Sequence, residues 1–542
     1  MALASFHRPP VAAAAILLLL ALFAPTATAQ PAGGREAAAD PSSRGRQTVQ
    51  GQYLTLTSDF ADQTWLRDLV DRFDKAVPQW LAFWDVPPDQ VARWRVRGYL
   101  MADEAAFRED GSLPRNVPAF RYGYASADTI WVQRQSTLYY TRHLVLHEGV
   151  HALAITLFGG GGPSWYMEGT AELLATHRDD STSRLPDVSR PGAPELPGAP
   201  ELPGASELPG ASVDSGVLAQ PVFASDLSFR VNQIPRRREE APVWGRFRVI
   251  REAREKAKLP TLESVLQLPQ HLNADVPSYT WTWAAAMLLS EYPDSRPIFV
   301  QAARDGRDSS TAFTADLYRR LRPQWPVIRA RWRLLLHDLE YGFDWPHHRV
   351  TLSTDDPRYD RRAIRLAVAA DRSWQSAGYW FPAGTTLTIA ANGQCLVSDP
   401  EPSAGPTTEP TADSNREFDR EAVQEDRDSD GWVAGPPGIT AAFHRGTPLG
   451  QLQVAVLPIR DEDSGDTLPP LPVRPAAGLD ASRVTPDSGE TIAGGPWFVG
   501  PALKIDRPSW LLFRIAVPPR ARTDASASDA SSFTVSLQPL SR

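Results

Sequence analysis

The stretch Leu144 to His177, LVLHEGVHALAITLFGGGGPSWYMEGTAELLATH, constrains the fold of this chain more than any other. Its apolar run to Phe158 predicts a buried helix, and the glycine run that follows, closed by Pro163, cannot continue one. Ser164 is positioned to cap a second helix, Trp165 to Thr176, so the chain must turn back on itself. His147, Glu148 and His151 lie in the first helix as H-E-x-x-H, a spacing that sets both imidazoles on one face with the carboxylate beside them. Glu168 and Glu172, four residues apart, share a face of the second helix.

Two imidazoles so spaced are two metal ligands, and Glu148 is placed as a base. A catalytic zinc takes three protein ligands and keeps a fourth position open, so a second element must bring the third. Glu168 is assigned that role. Glu172 is assigned to accept the free ring N–H of a ligating histidine, which sets its tautomer. The interval between His151 and Glu168 is short, which keeps Glu172 as an alternative ligand. The competing reading is ordinary helix histidines with solvated carboxylates. Against it, an apolar helix that buries His, Glu and His together needs partners for them. His143, one turn before His147, and His177, at the end of the second helix, are read as supporting or surface residues.

HEGVH followed after a glycine turn by WYMEGTAE resembles the gluzincin metallopeptidases, in which a glutamate helix of the form W-x-x-E-G-x-A-E succeeds H-E-x-x-H. The resemblance implies zinc held by His147, His151 and Glu168, with Glu148 as general base. Over a longer span the chain is similar to the peptidase-MA-like domains of secreted proteins. Such enzymes add a Tyr or His that stabilises the oxyanion, and the family likeness puts Tyr279, at the head of YTWTWAAAMLLSEY, in that role. A core tyrosine is the alternative there.

Compartment and partners follow from composition. Met1 to Ala29 carries Arg8, an apolar core from Val11 to Phe23 and the small residues Ala27-Thr28-Ala29, the pattern of a secretory signal. The expectation is an exported protein, periplasmic or extracellular, with no transmembrane segment. Net charge of −8 without a basic tract argues against nucleic acid and anionic membrane as partners. The single cysteine, Cys395, excludes an intrachain disulfide framework, so stability rests on packed cores, for which the 17 tryptophans supply area.

The expected organisation is α+β: a tether at 30–48, a zincin-like domain at 49–346, and an all-β sandwich at 349–542. Two inserts interrupt it. Residues 179–216 contain GAPELPGAPELPGASELPGAS, which cannot bury a core, and 398–430 is acidic and proline-bearing. In the first domain Tyr53 to Leu56, Trp94 to Leu100 and Thr129 to Gln133 read as strands, with a helix between whose Trp65, Leu66, Leu69, Val70, Phe73, Val77, Trp80 and Leu81 recur at helical spacing. The resemblance makes Thr129 to Gln133 the edge strand that pairs with an extended peptide. Arg236 to Glu240 reads as a solvated face, or a carboxylate site if it lies near the cleft.

Beyond Arg349, Trp374, Gly378 to Phe381, Thr385 to Ala391 with Asn392-Gly393, Pro448 to Leu452, Trp510 to Val517 and Phe533 to Leu537 resemble a galactophilic-lectin-like β-sandwich. That family holds calcium and sugar in an acidic, asparagine-containing loop. Here Asp524 to Asp529 has no asparagine, so carbohydrate remains only a possible partner. Asp426 to Gly431 opens like a calcium loop, but Pro437 stands where an EF-hand has glutamate. The expected activity is zinc-dependent hydrolysis of a peptide or protein substrate. The alternative is a non-catalytic exported protein that binds through the sandwich.

Overall fold

The structure, a computed structural model, describes residues 45–179, 228–270, 272, 275–397, 432–444, 446–459, 465–477, 497–517 and 532–540. The leader, most of the tether, both low-complexity inserts, Asp426 to Gly431 and Asp524 to Asp529 lie outside them. The described chain mixes α and β structure.

Alternation sets the first sheet. In β2 (Leu54–Ser58) Leu54, Leu56 and Ser58 are buried while Thr55 and Thr57 are half-buried. With β1 (Gln47–Gln50), β3 (Val96–Met101), β4 (Gly123–Ala125) and β5 (Thr129–Gln133) it forms a sheet of order β1-β2-β3-β5-β4. Neighbours β2 and β3, and β3 and β5, are parallel; β1 and β4 run antiparallel at the two edges. Gln47 and Thr48, expected in the tether, are therefore already paired in the sheet. The strand from Thr129 is interior, because β4 covers it, so the expected edge strand is corrected to Gly123–Ala125. The sequence reading missed β4 because three residues carry too little periodicity to register.

Helix α1 (Gln63–Phe83) begins at Asp62, whose carboxylate accepts from the Trp65 N–H at 3.0 Å. Its tryptophans and phenylalanine are core, as their spacing predicts, with Phe73 and Trp80 edge to face at 5.3 Å. After α2 (Glu104–Glu109) come the two helices of the opening motif, α3 (Leu138–Phe158) and α4 (Ser164–Ala175). Strands β6 (His177–Asp179) and β7 (Phe229–Val231) then pair antiparallel, Asp179 opposite Phe229. The first insert is thus closed at its base. Asp179, expected as its first residue, belongs to β6 and is buried between Arg72 and Arg142 at 2.8 and 3.1 Å. Helices α5 (Arg246–Glu255), α6 (Leu262–Leu266), α7 (Val276–Glu291), α8 (Arg296–Ala302), α9 (Thr311–Leu321) and α10 (Trp325–Asp338) complete this half, α7 packing along α4.

From Ile364 onward two antiparallel sheets enclose a core. One contains Ile364–Ala369, Thr386–Val397 and Ser532–Pro539; the other contains Gln375–Phe381, Leu452–Pro458 and Ser509–Ile515. Leu511, Phe513 and Ile515 point into the sandwich with Leu387, Ile389, Val535 and Leu537, whereas Trp510 and Leu512 pack with Val327, Ala330 and Leu334 of α10. Burial on both faces explains why that strand reads as a continuous apolar run. Asp338, at the end of α10, ties the halves together: it accepts from Arg514 at 2.6 Å and Ser373 at 3.1 Å, and lies 2.7 Å from His337 Nδ1.

Removing one partner of a buried ion pair leaves an uncompensated charge, so Asp338→Ala is expected to cost about 3–5 kcal/mol in a denaturant titration. Burial opposes the charged form of Asp338, but Arg514 and His337 outweigh it and hold the carboxyl well below its usual range. Its contribution is therefore complete above an unfolded value of about 4 and fades as the pH falls below that; Asp338→Asn should flatten this acid limb. Excising 182–226 should leave the melting temperature unchanged or raised, since β6 and β7 already hold the ends together and a shorter loop costs less entropy; calorimetry checks this, and a fall of more than about 5 °C would contradict it.

Candidate metal centre

Helix α3 starts at Thr137, whose hydroxyl accepts from the Tyr140 N–H at 3.2 Å, two turns earlier than the apolar run suggested. It ends at Gly159, whose φ of 75° is the left-handed C-cap that a side chain disfavours. Between these caps the helix packs against β5 and β4 and is buried nearly all round. Helix α4 starts at Ser164, with Pro163 at the cap and no side-chain cap bond, so the expected Ser164 cap is not formed.

The turn brings His147, His151 and Glu168 to one point. His147 Nε2 lies 3.0 Å from His151 Nε2 and 3.1 Å from Glu168 Oε2, and His151 Nε2 lies 3.4 Å from the same carboxylate oxygen. Tetrahedral zinc with ligands at about 2.0–2.1 Å spaces its ligand atoms about 3.3 Å apart, so this triangle fits the ion. Two imidazole nitrogens and one carboxylate oxygen are also its ordinary donor set. Three atoms with lone pairs facing one another need a positive charge between them. Burial disfavours a charged His147, yet hydrogen bonds and charges from Glu168 and Glu172 raise its pKa to about 10. The histidines in turn hold Glu168 down to about 2 against its burial. A divalent cation at the same place would substitute for that proton.

Glu172 does a different job. Its Oε1 lies 3.4 Å from His147 Nδ1, the ring nitrogen it was expected to accept from, which makes no hydrogen bond in this geometry. Its Oε2 lies 2.8 Å from Arg246 Nη2, 3.1 Å from Arg246 Nε and 3.2 Å from His143 Nε2. Arg246 was not legible as a site residue, because nothing in its neighbourhood distinguishes it from other helix arginines. His143 proves wholly buried and bonded to Glu172 rather than at the surface. His143, His147 and Glu172 also form a group that can hold a metal ion. In this second group the carboxylate is shared, since Glu172 Oε2 is already bonded by Arg246. His177 is buried against Tyr139, ring centroids 4.4 Å apart, and takes part in neither group.

Glu148 faces β4: a Cβ at Gly123 would collide with its carboxylate, so the edge strand approaches only because that position is glycine. Burial raises the Glu148 pKa, and His147 and His151 pull it back only in part. Tyr279 lies in the first turn of α7, which begins at Val276 because Asp275 caps it and Pro277 suits its first turn. Its ring centroid is 6.3 Å from that of His147. Burial and the surrounding glutamates raise its pKa, so the phenol keeps its proton. His147, Glu148, Glu172, Arg246 and Tyr279 line a cleft of about 690 Å³, with residues 119–123 before and in β4 and Tyr140 of α3 as further walls. Tyr140 was missed, although its spacing from Leu144 and His147 puts it on the same helix face. A cleft of about 740 Å³ beside α8 and α9 is lined by Arg304, Arg307, Arg319 and Arg320 but holds no imidazole, so size does not choose between them. Arg236 to Glu240 are exposed and line neither.

Glu172→Ala leaves Arg246 buried without its partner and should cost about 3–5 kcal/mol in metal-free protein, read by chemical denaturation. It should also weaken zinc binding about 10- to 100-fold in a competitive chelator titration. An unchanged affinity would rule out the orienting role.

A scan against protein-family models and a search of the curated proteins both find no match to this chain.

Proposed function

We propose that the chain is a zinc-dependent peptidase of gluzincin type, and that the α+β half is a zincin-like domain followed by the β-sandwich. The observation that carries the reading is the triangle of His147 Nε2, His151 Nε2 and Glu168 Oε2, with sides of 3.0, 3.1 and 3.4 Å, beside a buried carboxylate and a cleft. His147, His151 and Glu168 would hold the metal. Zinc, when bound, supplies a Lewis acid that polarises a carbonyl and makes water more acidic.

The remaining work falls to side chains. Glu148, whose pKa burial raises, is suited to take a proton from the attacking water and return it to the leaving amine. Tyr279, kept protonated, donates a hydrogen bond to the oxygen on which charge develops. Glu172 keeps the His147 ring in register and Arg246 keeps Glu172 ionised. Strand β4 pairs with β5 on one side and is the terminal strand of its sheet, so an extended peptide can add beside it through main-chain hydrogen bonds.

Purified protein should contain about one zinc per chain and lose peptide hydrolysis on chelation. Glu148→Gln should keep the zinc and lose about 10²- to 10⁴-fold in kcat. His147→Ala should lose zinc and activity together. Full hydrolysis by Glu148→Gln would remove the base from this scheme. A metal-replete wild type inert toward an unbiased peptide library would refute the peptidase reading.

A further inference from the structure

The charges around the cleft do not balance once each is assigned. Its lining contains two carboxylates, Glu148 and Glu172, and two guanidiniums, Arg121 and Arg246. Arg246 is 4% exposed and its Nη2 and Nε both go to Glu172 Oε2. Glu148 is buried among His147, His151 and the other glutamates. A divalent ion in the triangle would be matched by Glu168 and Glu148. Arg121 remains.

Arg121 is exposed, and among the described residues its guanidinium makes no ion pair or hydrogen bond. It is nonetheless held. Its guanidinium carbon lies 5.1 Å from the Tyr122 ring centroid, and the Gln133 N–H donates to the Tyr122 carbonyl at 2.8 Å, anchoring this corner to the sheet. The Tyr122 ring in turn meets that of Tyr140 edge on, centroids 6.2 Å apart. It stands two residues before Gly123, the residue that touches Glu148, and so at the head of the strand along which a peptide would lie.

We propose that Arg121 is a specificity residue that selects substrates bearing a carboxylate close to the scissile bond. The proposal rests on the peptidase reading above and deepens it to a substrate class. Two sources present that group, an Asp or Glu side chain and the free C-terminus of a peptide, and both offer an acceptor to the same guanidinium fork.

The test uses the full-length zinc-loaded protein and quenched-fluorescent peptides matched except for Glu, Gln or Lys at each position flanking the scissile bond, each as free acid and as C-terminal amide. Wild type should prefer Glu over Gln by about 10- to 100-fold in kcat/KM, chiefly through KM, for a side-chain source. It should prefer acid over amide by a similar factor for a terminal one. Arg121→Gln should erase that preference by lowering kcat/KM far more on the acidic peptide than on the neutral one, Arg121→Lys should restore part of it, and Arg121→Glu should turn it toward Lys. Equal loss on acidic and neutral peptides, or a wild type without preference for either carboxylate, would overturn the proposal. Should no peptide be cleaved, the peptidase reading fails by itself. Fluorescence anisotropy with the same peptides on zinc-loaded Glu148→Gln protein then decides this one: tighter binding of acidic peptides, abolished by Arg121→Glu, upholds it, and binding indifferent to charge overturns it.

Discussion

Three lone-pair-bearing atoms forced within 3.4 Å of one another inside a helix pair are the constraint on which the rest of this half of the molecule depends. Such a cluster is costly to bury unless a cation or proton neutralises it and neighbours orient it. The orienting neighbours are visible. The apolar sides of α3 and α4 exclude water. The Glu172, Arg246 and His143 network supplies charge and direction from behind. The turn at Gly159 sets how the second helix meets the first. A change at any of these layers acts on the cluster without touching it.

Glu148, whose pKa burial raises, lines the cleft against Gly123 of β4, so this carboxylate and the terminal strand of the sheet share one wall. Under the proposed reading, binding and chemistry are coupled through a single glycine contact. Under that reading Arg121 adds a charge two residues before the glycine, where it would bear on which peptide enters rather than on the reaction.

The second half of the chain is fastened to the first, not merely tethered. Strand Ser509–Ile515 is buried on both faces, toward the sandwich core on one and α10 on the other. Asp338 and Arg514 lock this interface with a buried pair. Residues near Thr467 reach back to α6, where Thr261 N–H donates to the Asp466 carbonyl at 3.0 Å and Leu468 N–H to that of Leu259 at 2.7 Å. One face of the sandwich is therefore structural and cannot serve as a free surface.

What the sequence determined by itself is what short-range spacing encodes: the helices at α1, α3 and α4, the glycine break between the last two, and the two histidines on one face. These follow from side-chain period and backbone freedom, which act over a few residues. Asp179, expected as the first residue of the insert, belongs instead to β6, because its place is set by pairing with Phe229. Tertiary structure decided the rest. Which glutamate meets which histidines depends on the angle between two helices, and Glu172 is also bonded by Arg246, which stands far along the chain. The edge strand moved from Thr129–Gln133 to Gly123–Ala125 because strand order is set by pairing between segments, a non-local choice that no local periodicity records.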